Sequence, residues 1–300
     1  MQITEIKRDA TLRELETRGT PMFPFAAYDN DIDAFITGDV PWHWHAEVEW
    51  MIVRKGLLQI FAGENSFTVP ENDGIFVNSG VLHGVCPVEG KAGLFNTIVF
   101  DPQIIAGVPQ SVYDLKYVRP VILSHQLRFI YLSHGTDWQA EMLDSLQKAC
   151  QAMKEEKFGY EMEVRQYLSQ AWIILIQHTL PNLSQKEIGP TLDEERIKKM
   201  MAFIQNHSDE SITVREIAEA GDIGESECFR SFRRNLHLSP IDYLNRYRLS
   251  MAAEMLAGTN DSISDVSSQM GFSSASYFTL LFRREFRCTP KEWRQKYQKN

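Results

Sequence analysis

Residues 271–290 read GFSSASYFTLLFRREFRCTP, and fifty residues earlier 228–240 read CFRSFRRNLHLSP. In register, Cys228, Phe232, Arg233, Arg234, Leu236 and Pro240 meet Phe278, Phe282, Arg283, Arg284, Phe286 and Pro290. Self-similarity at a fixed offset marks one supersecondary unit used twice. In the second copy Phe278, Leu281, Phe282 and Phe286 fall at i, i+3, i+4 and i+8, the apolar stripe of a helix, which leaves Ala275, Ser276, Thr279 and Arg283 outward. Upstream, Val266 and Met270 supply the inner face of a short helix, Gly271 permits a sharp turn, and Ser273 or Ser274 can cap the helix that follows. In the first copy Ile217 and Ile223 face inward and Ser226, Phe229, Arg230 and Arg233 outward. Each copy predicts a helix-turn-helix, over about 212–236 and 262–286, joined by one helix from Pro240 to Ala257. An outward face of small and polar side chains fits a major groove about 12 Å wide.

Charge supports that placement. The chain carries a net charge of -9, but residues 1–194 hold 15 basic and 26 acidic side chains, net -11, whereas 195–300 hold 16 and 14, net +2. The C-terminal third is the part able to sit on phosphate. A lone Phe-Arg-Arg on a helix is ordinarily a solvated face; its recurrence with matching turns argues for DNA instead.

At these residues the sequence resembles the AraC/XylS family of bacterial transcription regulators, over about one hundred residues and most specifically in GFSSASYF (271–278) followed by LFRREFRCTPKEWR (281–294). The resemblance implies two recognition helices entering successive major grooves on one face of double-stranded DNA. Carried over by position, the base-reading residues are Ser226, Phe229 and Arg230 in the first unit, and Ala275, Ser276, Tyr277 and Thr279 in the second; Arg233 and Arg283, outward on the same two helices, complete the expected DNA-binding set. Leu280 stands where the family often has Arg.

The first hundred residues read as strands. VEWMIVRKGLLQIFAG (48–63), NSFTVPENDGIFVNSG (65–80) and KAGLFNTIVF (91–100) are short apolar runs stopped by Gly, Asn, Asp or Pro, the rhythm of an antiparallel barrel or jelly roll. Residues 38–56, GDVPWHWHAEVEWMIVRKG, contain His43-x-His45-x3-Glu49-x6-Gly56, and Gly74-x5-Gly80-x2-His83 follows. On a strand His43 and His45 point to one side, so with Glu49 and His83 three imidazoles and a carboxylate can converge on a metal. These stretches resemble the two cupin motifs, in order and with all four metal-ligand positions filled; Asn78 stands where Pro is usual and Pro87 where Asn is usual. The resemblance implies a cupin-like effector-binding domain over 1–135, its pocket lined by His43, His45, Glu49 and His83. No cofactor is required, and a divalent metal is the ion those four positions would hold. Trp42 and Trp44 flank them, with Trp50 nearby, and flat aromatic faces beside polar groups suit a sugar ring. The expected effector is a small polar molecule, a sugar among the candidates.

Between the two regions the period turns helical. Met142, Leu146, Ala149 and Met153, then Val164, Leu168, Trp172, Leu175 and Ile176 after a break at Phe158-Gly159, predict two long helices. Leu143, Leu146, Met153, Leu168, Trp172, Ile173 and Ile176 offer more apolar surface than one barrel flank covers, which predicts homodimerisation through 136–181. A Pro-bounded linker is expected over 182–194 and the DNA-binding domain over 195–300. The fold class is thus multi-domain α and β, a cupin or jelly-roll barrel with helices followed by an all-α double helix-turn-helix.

No apolar run approaches the roughly 20 residues a bilayer core requires, and the N-terminal MQITEIKRDATLRELETRG lacks a secretory apolar stretch, so a cytoplasmic protein is expected. Four cysteines without CxxC spacing signal neither disulfides nor a zinc knuckle. The function that follows is a ligand-responsive, sequence-specific transcription regulator, not an enzyme, whose partners are DNA, a small effector, a second copy and RNA polymerase. The alternative is a cupin metalloenzyme whose C-terminal helices serve assembly only.

Overall fold

The computed structural model describes residues 4–297 apart from 10, 11, 64, 90, 183–191 and 237. It divides into an N-terminal unit made chiefly of Arg13–Phe35 and Asp39–Thr191 and a C-terminal unit made chiefly of Leu192–Asn300. Most of the linker expected over 182–194 lies outside the described residues.

The N-terminal unit contains β1 (Phe25–Asp31), β2 (Val40–His43), β3 (Val48–Ala62), β4 (Asn65–Pro70), β5 (Gly74–Val77), β6 (His83–Pro87), β7 (Gly93–Phe100) and β8 (Phe129–Leu132), paired antiparallel throughout. The 15-residue β3 is the spine: its first half pairs β5 and β7, its second half β4 and β6. One strand thereby serves two layers, β1-β7-β3-β5-β8 and β4-β3-β6-β2. The layers form an open cupin-like sheet, with β1 and β8 at the ends of the longer path. At the bend of β3 sits the motif glycine Gly56, at φ +91°; a Cβ there would lie 1.8 Å from the Ala92 carbonyl oxygen, so only glycine lets β3 pass β7 at this register shift.

Residues 48–53 are buried on both faces. Val48, Trp50 and Ile52 point into the cluster beneath the helices, whereas Met51 and Val53 point into the barrel interior. The alternation puts Glu49 on the interior side. After β7 come the short helices α1 (Gln103–Ala106) and α2 (Arg119–Ile122), then α3 (Asp137–Glu155) and α4 (Tyr160–Thr179). Leu143, Leu146, Leu168, Trp172 and Ile176 are all buried in the core that α3 and α4 share with the sheet. The Trp50 ring stacks on Phe100 at 5.3 Å and meets Trp172 edge-on at 6.1 Å. This corrects the expectation of an apolar surplus on these helices: of the seven side chains named for it, those five are consumed inside the chain, and only Ile173, at 45% exposure, remains clearly outward.

The C-terminal unit is helical: α5 (Leu192–Asn206), α6 (Val214–Ala220), α7 (Glu225–Leu236), α8 (Pro240–Gly258), α9 (Ile263–Gln269), α10 (Ala275–Phe286) and α11 (Pro290–Tyr297). The repeat survives in register, α7 and α10 starting at 225 and 275, α8 and α11 at 240 and 290. Helix starts are written by Ser or Thr followed three residues on by an acid. Thr213 accepts from the Glu216 N–H, Ser239 from Asp242, Ser262 from Asp265 and Thr289 from Glu292, each bond 3.1–3.3 Å. Ser274 caps α10 by accepting from the Tyr277 N–H at 3.2 Å. In the second turn Gly271 adopts φ +72°, while in the first the left-handed residue is Asp222, φ +54°.

Candidate effector site and nucleic-acid interface

His43 ends β2, His83 begins β6 directly across from it, and Glu49 lies on the inward face of β3. With His45 they bring four ligand atoms within 4.8 Å of one another, and each side chain is at least nine-tenths buried. The imidazoles are oriented by the backbone. Nδ1 of His43 lies 2.9 Å from the Pro41 carbonyl, Nδ1 of His45 3.1 Å from Glu47, and Nδ1 of His83 2.8 Å from Val81. A carbonyl only accepts, so each Nδ1 carries the hydrogen and each Nε2 presents its lone pair when the ring is neutral. Nε2 of His45 and of His83 sit 2.9 and 3.1 Å from the same Glu49 Oε2. Lone pairs facing a carboxylate at that distance call for a proton or a cation between them, and backbone-fixed imidazoles of this kind are how proteins hold metal ligands in place. Three nitrogens and one carboxylate oxygen suit a divalent transition metal.

Burial and the neighbouring His83 push the His43 imidazole well below its usual range. Burial alone would raise Glu49, but His83 and His45 outweigh it and hold the carboxyl well below the usual range. Burial likewise opposes charge on His45, and the Glu49 hydrogen bond reverses the balance, raising it.

Trp42 and Trp44 do not line the cavity that His43 and Glu49 border. The Trp42 ring lies on Phe61 at 5.5 Å, and Trp44 lies under the Arg13 guanidinium at 5.8 Å. The alternation that aims His43 and His45 inward turns Trp42 and Trp44 elsewhere, so these two rings give the cluster no stacking platform. Asn78, at a position where the motif usually has Pro, is a buried clamp: its Nδ2 donates to the carbonyls of Val121 and Leu127 at 2.8 and 2.7 Å.

On α7 the residues Cys228, Ser231, Phe232, Asn235 and Leu236 are buried, leaving Ser226, Phe229, Arg230 and Arg233 exposed together. Arg230 pairs with Glu227 one turn back at 2.5 Å. On α10 Phe278 and Phe282 are buried, while Ser276, Tyr277, Leu280 and Arg283 are exposed. Ala275 and Thr279 are half-buried, and the Thr279 hydroxyl donates to the Ala275 carbonyl at 2.8 Å. Arg246, a basic residue of α8, is held by Glu285 of α10 at 2.9 Å.

Nothing in the local sequence pattern marks Arg248, yet it ties the unit together. Its Nε and Nη2 donate to the carbonyls of Ser208 and Glu210, both at 2.6 Å. The second turn closes over the same place: a Cβ on Gly271 would lie 2.7 and 2.8 Å from the Ser208 and Asp209 carbonyl oxygens.

A buried polar cluster in a cupin-like domain and a duplicated helix-turn-helix define a ligand-binding DNA-binding regulator. Residues 33–172 match the family model of the AraC-like ligand binding domain, and 217–296 match that of the helix-turn-helix domain. The HTH-type transcriptional regulator YdeC of Bacillus subtilis is 31% identical over 288 residues, 96% of this chain and 97% of that one. The HTH-type transcriptional activator RhaS of Citrobacter koseri is 25% identical, over 85% of this chain and 87% of its own. Among solved structures, an AraC-type DNA-binding domain regulator from Chromobacterium violaceum is 25% identical, covering 35% of this chain and 93% of that one at TM-score 0.34. The chain belongs to the AraC family of helix-turn-helix transcription regulators.

Proposed function

We propose that this regulator reads operator DNA with α7 and α10 and changes its action when a small polar effector enters the N-terminal barrel, acting in the cytoplasm without enzymatic turnover. The single observation that carries DNA reading is the pair of exposed polar faces, Ser226, Phe229, Arg230 and Arg233 on α7 and Ser276, Tyr277 and Arg283 on α10, on helices repeated in register. Ala275 and Thr279 border the second face. A helix bundle serving assembly alone has no use for two such faces, which favours the regulator over a cupin metalloenzyme. His43, His45, Glu49 and His83 would hold a divalent transition metal, which would supply a Lewis-acidic contact for a polar effector. A sugar effector loses the stacking support that Trp42 and Trp44 were expected to give. Two copies pair through the outer face of α4, where Met162 and Ile173 are exposed beside Tyr113. RNA polymerase is then the partner an activator of this kind would meet at a promoter.

The deciding experiment is operator binding by the full chain over a salt series, together with a promoter reporter in cells carrying His45→Ala. The proposal expects steep salt dependence, intact operator binding by the variant, and a lost effector response. Salt-independent binding overturns DNA reading; an unchanged response overturns the sensor assignment.

A further inference from the structure

Beside the histidine cluster lies a second built feature. Arg18 and Glu14 are an ion pair within a non-helical stretch, so their i,i+4 spacing is no consequence of a helix face. Both are buried, with side-chain exposures of 3% and 0%. The pair is made through one nitrogen and one oxygen only: Arg18 Nη2 contacts Glu14 Oε1, while Arg18 Nε and Glu14 Oε2 are buried without a hydrogen-bond partner. Guanidinium and carboxylate ordinarily satisfy burial by a two-bond fork. Tyr28 lies under the guanidinium at 4.9 Å, and Glu16 approaches it at 4.0 Å from the surface. Backbone hydrogen bonding fixes the stretch that carries the carboxylate, the Glu14 N–H donating to the Trp44 carbonyl at 2.9 Å, between His43 and His45.

Arg18 borders the barrel cavity together with Asn30, Thr97, His43 and Glu49. The space open to the centre of a water molecule is about 20 Å³, enough for about one water. An effector must therefore displace part of the protein, and Glu14 is the part whose chemistry a ligand can reproduce.

We propose that the effector is a small carboxylate that takes the place of the Glu14 side chain on Arg18, so that Glu14 is the ligand's internal surrogate in the unliganded sensor. The exchange swaps one carboxylate for another and leaves the charge inside the barrel unchanged. It lets a ligand complete the two-bond fork that Glu14 leaves unfinished. The proposal rests on the barrel being the effector site, and it fixes the ligand's class: an anion with a planar two-oxygen head, in place of a neutral sugar.

The test uses the full chain, with thermal shift and calorimetric titration of formate, acetate, pyruvate and malonate, against chloride, sulfate, phosphate and a neutral hexose. In wild type at least one carboxylate should raise the melting temperature beyond the chloride control. Glu14→Ala, which removes the internal competitor, should bind that carboxylate about 10-fold or more tightly. Arg18→Gln should lose binding, and Glu14→Gln/Arg18→Gln, which buries no unpaired charge, should fold and also lose it. The inference is overturned if no carboxylate acts on wild type or Glu14→Ala beyond chloride. It is equally overturned if the double variant responds as wild type does, or if phosphate, sulfate or the hexose binds in preference. Operator binding, measured on the same samples, separates the two failures: it stays intact if only the carboxylate assignment is wrong and is missing if the regulator itself is misread.

Discussion

Arg234 of α7 holds Asp193 of α5, Nη2 to Oδ1 2.7 Å, across a separation of 41 positions in sequence. The same carboxylate accepts from Ser231 Oγ at 3.1 Å and Asn235 Nδ2 at 2.8 Å. Of the two adjacent arginines on α7, Arg233 is thus solvent-exposed while Arg234 braces the helix against α5.

Asp193→Ala should destabilise the protein by about 1–3 kcal/mol, because Ser231 and Asn235 are buried and lose a charged acceptor. Urea unfolding followed by circular dichroism measures it. Arg233→Ala should leave stability nearly unchanged and weaken operator binding.

The pH dependence follows from the same carboxyl. Burial would raise Asp193, but hydrogen bonds from Arg234 and Asn235 outweigh it and hold the carboxyl below the usual range. A depressed acid stabilises the fold above its unfolded value of about 4, and that contribution is lost as pH falls through the lower folded value. Below pH 4 the gap in stability between wild type and Asp193→Ala should close. A gap that persists at low pH would remove the carboxylate from the account.

Removing Arg230, Arg233 or Arg283 should each lower the slope of log affinity against log salt by about 0.9 if the residue touches phosphate. Ser276→Ala and Tyr277→Ala should instead shift base preference, with a discrimination of about 1–3 kcal/mol at the affected position. Competition assays over operator variants distinguish a flat loss from a selective one.

Cobalt(II) or zinc(II) should bind the full chain one to one through His43, His45, Glu49 and His83. At a hundred times its dissociation constant the metal raises stability by about 2.7 kcal/mol. His83→Ala and Glu49→Gln should abolish that gain, and cobalt absorption bands should vanish with it. A gain that survives both substitutions would place the metal elsewhere.

Ile173→Glu should convert dimer to monomer in light scattering while leaving melting temperature within a few degrees, since Ile173 faces outward. Leu168→Glu should unfold the protein, because Leu168 is fully buried on the inner face of α4.

Much of this was legible in the residues. The offset between Phe232 and Phe282 foretold two helix pairs in register, and the His43, His45, Glu49, His83 spacing foretold a converged cluster. The burial of α3 and α4 was not legible, because period alone shows that a face is apolar, not what covers it; Trp50, on the hidden side of β3, claims Trp172. Asp193 and Arg248 gave no local signal, since the groups they hydrogen-bond lie 38 or more residues away along the chain. Glu14 and Arg18 stand at i,i+4, a spacing common on helix surfaces, and only the non-helical backbone between them makes the pair unusual.

Arg248 gives the C-terminal unit a property that matters to anyone who would retarget it. One guanidinium fastens the approach to the first helix-turn-helix, through Ser208 and Glu210, at the spot where Gly271 turns the second. The two reading heads are therefore not interchangeable cassettes. Grafting α9 and α10 from a relative onto this chain will succeed only when the graft brings a glycine at the turn and leaves 208–210 and Arg248 intact. Shuffled libraries should be cut outside that junction.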